Sequence, residues 1–148
     1  MTSVTVELDD IYRLAHDVML ANGCDADNAG ALADIICRAE RDGSHSHGLF
    51  RVPGYVKALR SGKVDGKAKP TVKTLTPAVI QVDGNGCFAP LAQAVGLPLL
   101  ADATDKIGIA ALSLVGIHHF AALWPETEYM ADRGFVGLAC TAYMPMVA

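Results

Sequence analysis

The spacing of apolar residues changes near residue 70, and this change constrains the fold more than any other feature. Before that point apolar residues recur three and four positions apart, as in the set Ile11, Leu14, Ala15, Val18 and Met19, which is typical of helices. After it, short apolar runs alternate with helical stretches, which is typical of an α/β layer. The sequence therefore predicts an α/β protein: a helical N-terminal region, then the start of a mixed α/β domain.

Capping and turn residues set the predicted bounds. The first helix ends at Asn22-Gly23, the second runs from the N-cap Asp25 to a stop before Gly43, and the third runs from about Val52 to Ser61-Gly62. Beyond the turn-rich stretch 63–70 we predict strands over 71–75, 78–82, 109–115 and 135–141, with helices over 89–103 and 125–133. We expect residues 1–75 to form the helical region, with a loop at 41–51, and 76–148 to form the α/β part.

The composition is apolar for an independent soluble domain. The chain of 148 residues is 51% hydrophobic and 19% charged, whereas charged residues usually approach a quarter. We expect the surplus apolar surface to be covered by a second copy in a homodimer or by further chain. The ending Met144-Pro-Met-Val-Ala148, just after a predicted strand, favours an interrupted chain.

Composition and local sequence also limit the expected cellular location of the protein and the classes of partner that it binds. The longest nearly apolar stretch, 107–117, is too short to span a bilayer, so no membrane partner is expected. Glu7, Asp9 and Asp10 stand where a signal peptide would be basic and then apolar, and the four cysteines form no C-x-x-C pair. We therefore expect a cytoplasmic protein with reduced thiols. The net charge of −4 argues against nucleic-acid binding, and we interpret the basic cluster over 57–73 as a solvated face.

The segment 41–51 has the densest cluster of polar side chains in the sequence, Arg-Asp-Gly-Ser-His-Ser-His-Gly-Leu-Phe-Arg. His47 can exchange a proton near neutral pH, and Arg51, four positions later, offers a planar cation. This pair suits a small acid whose neighbouring carbon gains or loses a proton. The alternative is a polar loop between helices, with Ser46 as an N-cap.

Two further motifs leave alternatives open. The stretch 83–89, Asp-Gly-Asn-Gly-Cys-Phe-Ala, matches the glycine pattern of a dinucleotide fingerprint, but no acidic residue ends the next predicted strand, which favours a plain glycine turn. His118-His119 follows a predicted buried strand, where α/β proteins bind ligands. With His45 and His47 these histidines could hold a metal, but no acidic residue has a ligand-like spacing beside them, so no metal site is assigned.

At the 41–51 loop the chain resembles a known family. The pattern Arg41-Asp-Gly-x-x-Ser46-His47-Gly-x-x-Arg51, with Tyr55 and Ser61-Gly62, is similar to that of the malate/L-lactate dehydrogenase-type oxidoreductases, which bind NAD(P) without a Rossmann fold. A second block, His118-His119-Phe-Ala-Ala-Leu-Trp-Pro125, is similar to the Δ1-piperideine-2-carboxylate and Δ1-pyrroline-2-carboxylate reductases, which reduce the C=N bond of cyclic imino acids. The resemblance covers essentially the whole chain.

The resemblance implies roles for individual residues. His47 matches the family's catalytic histidine, Ser46 would hydrogen-bond that histidine or the substrate, and Arg51 matches the arginine that grips the substrate carboxylate. His119 matches a second active-site histidine, so the proton donor is either His47 or His119. The resemblance further implies that His119 and Thr141 contact the cofactor, NADPH or NADH.

Length is the one departure from the family, whose members are roughly twice as long. The resemblance therefore implies an N-terminal portion of an imino-acid reductase. The alternatives are a 2-hydroxyacid dehydrogenase of the same family, an inactive dimerising remnant and, from another class, a histidine-rich metal hydrolase.

Overall fold

The helical N-terminal region consists of three helices joined by short connections. The computed structural model describes residues 4–118 and 121–141. Its first helices are α1 (Leu8–Ala21), α2 (Ala26–Arg41) and α3 (Val52–Arg60), and two single 3₁₀ turns, His45–His47 and Leu49–Arg51, lie between α2 and α3. These helices confirm the periodicity, the Asn22 stop and the start at Val52.

Local capping explains where α2 begins. The side chain of Asp25 accepts a hydrogen bond from the backbone N–H of Asn28 at 3.0 Å, which satisfies a donor that the first helical turn leaves free. The N–H of Asp25 donates to the Gly66 carbonyl at 2.9 Å, and the Asn28 amide donates to the Ala68 carbonyl at 3.2 Å. The same cap therefore attaches the 63–70 connector to the start of α2.

The helical layer has its own core, and one aromatic residue joins it to the sheet. Met19, Leu32 and Ile36 are fully buried between the helices. Tyr55 of α3 and Phe88, which lies after the second strand, belong to the same cluster, and their rings meet edge to face with centroids 5.2 Å apart. This contact places the start of the α/β part directly against α3.

The sheet has three strands among the described residues, in the order β1 (Thr71–Thr76), β2 (Val79–Asp83), β3 (Ala111–Val115). β1 and β2 form an antiparallel pair, and β2 and β3 are parallel, with Ile80 opposite Leu112. The predicted α/β class is confirmed as a mixed sheet. A parallel pair requires a crossover, and helix α4 (Ala89–Ile107) provides it.

Helix α4 packs very close to the sheet at Gly96. A Cβ added there would lie 2.8 Å from Cδ2 of Leu112 and 3.2 Å from Cγ2 of Val82. The helix extends beyond the predicted end at 103 and continues through Pro98, which is exposed. It ends at Gly108 in the left-handed conformation, with φ of 89°.

The last described helix, α5 (Trp124–Ala131), confirms the predicted helix over 125–133 with slightly different ends. The predicted strand over 135–141 is wrong, because these residues belong to no strand. Val136 and Leu138 are fully exposed. A strand needs a neighbour to satisfy its backbone groups, and no such neighbour exists within residues 4–118 and 121–141. No helix in these ranges is long and apolar enough to cross a membrane.

Gly96→Ala should destabilise the chain by about 1 kcal/mol, because overpacking of about 1–3 kcal/mol outweighs a helix-propensity gain of about 0.5–1 kcal/mol. Gly54→Ala in α3 is the matched control, since a Cβ there meets nothing within 4 Å, and it should stabilise the chain by that gain. Urea unfolding of both variants measures the difference. Equal effects at both positions would show that α4 does not need glycine for its approach to the sheet.

Candidate active site

The carboxylate of Glu40, near the end of α2, organises the 41–51 loop. One of its oxygens accepts the backbone N–H of Leu49 at 2.8 Å, and the other lies 2.5 Å from Nδ1 of His45. The side chain is only 14% exposed. Because the two partners lie in successive 3₁₀ turns, a single carboxylate fixes both turns relative to α2.

Glycine at position 48 leaves room for this carboxylate, which a larger side chain would displace. A Cβ at residue 48 would lie 2.6 Å from Cδ and 2.8 Å from Cγ of Glu40. Both distances are shorter than any ordinary carbon contact. The glycine of the Ser46-His47-Gly48 motif therefore leaves the space that Glu40 occupies.

His47 is held by serine hydroxyls on one side of its ring and by an aromatic residue on another. Nδ1 lies 2.9 Å from Oγ of Ser46 and 3.5 Å from Oγ of Ser44. A hydroxyl that donates to Nδ1 leaves the ring proton on Nε2. Trp124 meets the imidazole edge to face, with centroids 6.0 Å apart and planes at 83°. Burial, with a smaller effect of Arg51, lowers the pKa of His47 below its usual 6.5.

Arg51 is anchored through one nitrogen. Its Nε donates to the backbone carbonyl of Ser46 at 2.8 Å, and the residue is half-buried. A guanidinium held at Nε still has its two terminal amino groups, which can bind both oxygens of a carboxylate. The anchor also ties the arginine to the residue before His47, so the cation and the imidazole keep a fixed separation.

Helix α5 is also linked to the beginning of the loop. Arg41, whose Nε donates to the Asp42 carboxylate at 2.7 Å, holds the pKa of that carboxyl below its usual range. Arg41 further reaches Glu128 of α5 at 3.4 Å. The middle of α5 and the end of α2 are therefore linked by this ion pair.

A series of packed rings connects the carboxyl ends of the parallel strands to α3, the helix that follows this loop. Phe88 contacts Tyr55 on one side and the ring of His118 on the other, with centroids 6.0 Å from the latter. Burial, and then the charge of Lys63, lowers the pKa of His118. Burial raises the pKa of Tyr55 to about 12. Both groups are therefore neutral near pH 7.

The glycine-rich stretch 83–89 is a closed turn. The N–H groups of Gly84 and Gly86 donate to Val115 and Gly116, and that of Cys87 donates to Gly84. The N–H of Asn85 donates to the Asp83 side chain at 2.9 Å. With these donors already used, the turn does not provide a phosphate cradle, and the turn interpretation is confirmed.

The structure brings Ser46, His47 and Arg51 together, as the sequence predicts. Thr141 is exposed and borders a different space, a cavity of about 430 Å³ that is otherwise lined chiefly by α4, β3 and residues 136–140. His119 lies outside the described residues. Within those residues, no group of three or more His, Cys, Asp or Glu side chains could hold a metal ion.

Sequence reasoning missed Glu40 as a positioning residue and missed Trp124 as a neighbour of His47. Glu40 did leave one signal. An acid in the last turn of a helix lies at the negative end of the helix dipole and is disfavoured there. Its presence at that position indicates a local compensation, which here is the pair of contacts to Leu49 and His45. Nothing in the sequence indicated that Trp124 meets His47.

These features define an α/β protein in which a loop between two helices presents serine, histidine and arginine next to the ends of parallel strands. The chain belongs to the malate/L-lactate dehydrogenase family, whose model matches residues 6–148. A Δ1-pyrroline-2-carboxylate/Δ1-piperideine-2-carboxylate reductase of Pseudomonas syringae pv. tomato is 42% identical over 143 residues, which are 97% of this chain and 42% of that protein. A Δ1-pyrroline-2-carboxylate reductase of Pseudomonas fluorescens is 38% identical over 136 residues.

Solved structures agree with this assignment. The crystal structure of Δ1-piperideine-2-carboxylate reductase from Pseudomonas syringae superimposes with a TM-score of 0.86 and 42% identity, over 89% of this chain and 40% of that one. Malate dehydrogenase from Entamoeba histolytica, at 24% identity and a TM-score of 0.83, shares the fold. The chain spans about two fifths of the length of these relatives.

Gly48→Ala should lower the free energy of unfolding by about 1–3 kcal/mol, because the added methyl group overlaps the Glu40 side chain. In a Glu40→Ala background the same change should cost much less, since the space is then empty. A double-mutant cycle measured by urea unfolding gives the coupling. An equal destabilisation in both backgrounds would show that the cost of a side chain at position 48 does not depend on Glu40.

The fluorescence of Trp124 should report the protonation of His47. The chain has one tryptophan, and imidazolium quenches indole emission more strongly than neutral imidazole does. We expect emission to fall with decreasing pH, with a midpoint below 6.5. His47→Gln should remove the part of the transition due to this imidazole and leave only the part due to Glu126, whose pKa burial raises to about 7, whereas His45→Gln should leave the whole transition in place. An unchanged transition in His47→Gln would show that His47 does not quench the indole.

Proposed function

We propose that this chain is the N-terminal portion of an oxidoreductase that reduces the C=N bond of Δ1-pyrroline-2-carboxylate and Δ1-piperideine-2-carboxylate with NADPH or NADH. The observation that carries the proposal is the 42% identity with a reductase of that name across 97% of the chain, which includes the 41–51 loop. We also propose the division at residue 75 into a helical region and an α/β part.

The loop supplies two of the functions that such a reduction requires. His47 is the proposed proton donor: as the protonated imidazolium it gives its Nε2 proton to the imine nitrogen and becomes neutral, while Nδ1 stays hydrogen-bonded to Oγ of Ser46 at 2.9 Å. Arg51 is the proposed anchor for the substrate carboxylate. His119 remains the second candidate for the proton donor, and with Thr141 the candidate for cofactor contact.

A nicotinamide cofactor would supply the hydride. The described residues do not offer a glycine cradle for its phosphates, since the 83–89 turn uses its own donors. The cofactor phosphates would therefore bind to other parts of the protein. This chain would bind the substrate carboxylate, donate the proton and exclude water around His47.

The apolar surroundings of His47 support a cyclic substrate. Trp124 contacts the imidazole, and the exposed side chains Phe50 and Leu123 lie next in sequence to Arg51 and Trp124. A dicarboxylate such as oxaloacetate needs a second cation, whereas residues 116–125 contain no Lys or Arg. A ring with one carboxylate suits one arginine and apolar walls.

We further propose that the protein is a cytoplasmic homodimer. The support is the exposed apolar surface that includes Ile109, Val136 and Leu138, together with the four free cysteines. Contiguous exposed apolar patches usually mark association surfaces.

A chimera that joins this chain to the remaining part of the Pseudomonas syringae reductase tests these roles. His47→Ala should lower kcat for the imino acid by about 10²–10⁴-fold and leave the Kd of the cofactor nearly unchanged. Arg51→Lys should raise the KM for the imino acid by about tenfold or more, since lysine loses the two-pronged geometry, and leave the KM for the cofactor unchanged.

His16→Ala and Arg13→Lys, both on α1, are the matched controls and should behave as the parent chimera. If His47→Ala keeps more than about a tenth of kcat, His47 is not the proton donor and His119 takes its place. If Arg51→Lys changes both KM values equally, the arginine is structural.

A further inference from the structure

A polar pair, Gln93 and Glu126, is buried between α4 and α5. Gln93 is 6% exposed and Glu126 is 9% exposed, and the Gln93 amide donates a hydrogen bond to Oε1 of Glu126. The other carboxyl oxygen, Oε2, is buried and has no hydrogen-bond partner within the described part of the chain. A buried group that depends on one partner loses much of its stability when that partner is removed.

This bond joins α4 to α5, whereas Arg38 and Arg41 of α2 reach Glu128 further along α5. The pair lies between two spaces: one lined by Ile35 of α2, Leu97 of α4 and Pro125 of α5, and the cavity of about 430 Å³ beside α4 and β3. Burial raises the pKa of Glu126 to about 7. A carboxyl group in these surroundings loses the hydration that it would have in water. Its hydrogen bond to Gln93 therefore limits where the first turn of α5 can lie.

The two partners sit at the two ends of the site described above. Gln93 lies one turn after Ala89, whose N–H donates to the carbonyl of His118 at 3.1 Å. Glu126 lies in the first turn of α5, two residues after Trp124. The pair therefore joins the helix that begins at the strand ends to the helix whose first residue contacts His47.

We propose that Gln93 and Glu126 are positioning residues, whose hydrogen bond fixes the first turn of α5 and thereby the edge-to-face contact of Trp124 with His47. The consequence for catalysis rests on the proposed function, in which His47 donates the proton. The contact itself does not, and it can be measured in the 148-residue chain without substrate or cofactor.

Loss of the pair has a defined physical consequence. Leucine at position 93 leaves the Glu126 carboxyl buried without a partner, so the first turn of α5 moves to let it reach water. Trp124 moves with that turn, and the His47 imidazole gains solvent. Since burial is the main cause of the low pKa of His47, its pKa then rises toward 6.5.

The experiment is the pH titration of Trp124 emission in four proteins, each compared with its own His47→Gln version so that the titration of the buried carboxyl is subtracted: the parent chain, Gln93→Leu, the exchange variant Gln93→Glu/Glu126→Gln, and the control Gln81→Leu. Gln81, on β2, is the only other glutamine of the chain. In Gln93→Leu we expect the His47-dependent amplitude to fall by about twofold or more, because ring contacts weaken beyond their usual separation, and the midpoint to move toward 6.5.

The exchange variant restores the hydrogen bond with donor and acceptor reversed, so it should regain the parent amplitude and midpoint, as the control should keep them. A folded Gln93→Leu protein with the parent curve overturns the proposal. If Gln93→Leu fails to fold by circular dichroism, the exchange variant decides: the parent curve supports the proposal, and a folded protein with an altered curve overturns it.

Discussion

The conformation of the 41–51 loop depends on one buried carboxylate at the end of α2. Glu40 reaches across two consecutive 3₁₀ turns and contacts Leu49 in one and His45 in the other. Each turn has only two backbone hydrogen bonds of its own type, and such short 3₁₀ pieces are weakly held, so the Glu40 contacts add an anchor to α2 that the turns do not provide themselves. With Glu40 in place, the ring of His47 and the guanidinium of Arg51 acquire fixed positions. The motif Ser46-His47-Gly48 is therefore a local structure completed by a residue six positions before it.

The second constraint is the parallel pairing of β2 and β3. It requires α4 to cross from one strand to the other, and Gly96 lets that helix approach Leu112 and Val82 closely. The pairing also brings Phe88 and His118 together beyond the strand ends, where they form a parallel bridge. Phe88 then packs on Tyr55. The sheet and the helical layer meet at the place where the loop presents His47.

Local signals explain why much of this fold is predictable from the sequence. Asp25 is an N-cap, Pro53 lies in the first turn of α3, and the 3.6-residue periodicity of α1 and α2 is strong, so these helices match their predictions. The predicted helix over 89–103 already included Pro98, and the structure extends α4 by one more turn to Ile107, where Gly108 in the left-handed conformation ends it. The run 135–141 has the composition of a strand, but composition does not reveal whether a partner strand exists.

The candidate site, like the fold, can be predicted from the sequence only in part. The sequence identifies Ser46, His47 and Arg51 because they share one short motif. It does not identify Glu40 and Trp124 as neighbours of that motif, because their roles arise from contacts between α2, the loop and α5. The 83–89 turn shows the converse. Its glycines fit a dinucleotide pattern, but its backbone donors bind Val115, Gly116 and the turn itself, so the pattern has a structural purpose.

The central claim is that this chain provides the proton donor and the carboxylate anchor for reducing cyclic imino acids. The most direct measurement is the steady-state kinetics of the chimera with the Pseudomonas syringae reductase on Δ1-pyrroline-2-carboxylate, Δ1-piperideine-2-carboxylate, pyruvate and oxaloacetate. The account predicts that kcat/KM for one of the two imino acids exceeds that for oxaloacetate by at least about tenfold, or roughly 1.4 kcal/mol in transition-state binding. A preference for oxaloacetate or pyruvate would contradict it and place the chain among the 2-hydroxyacid dehydrogenases.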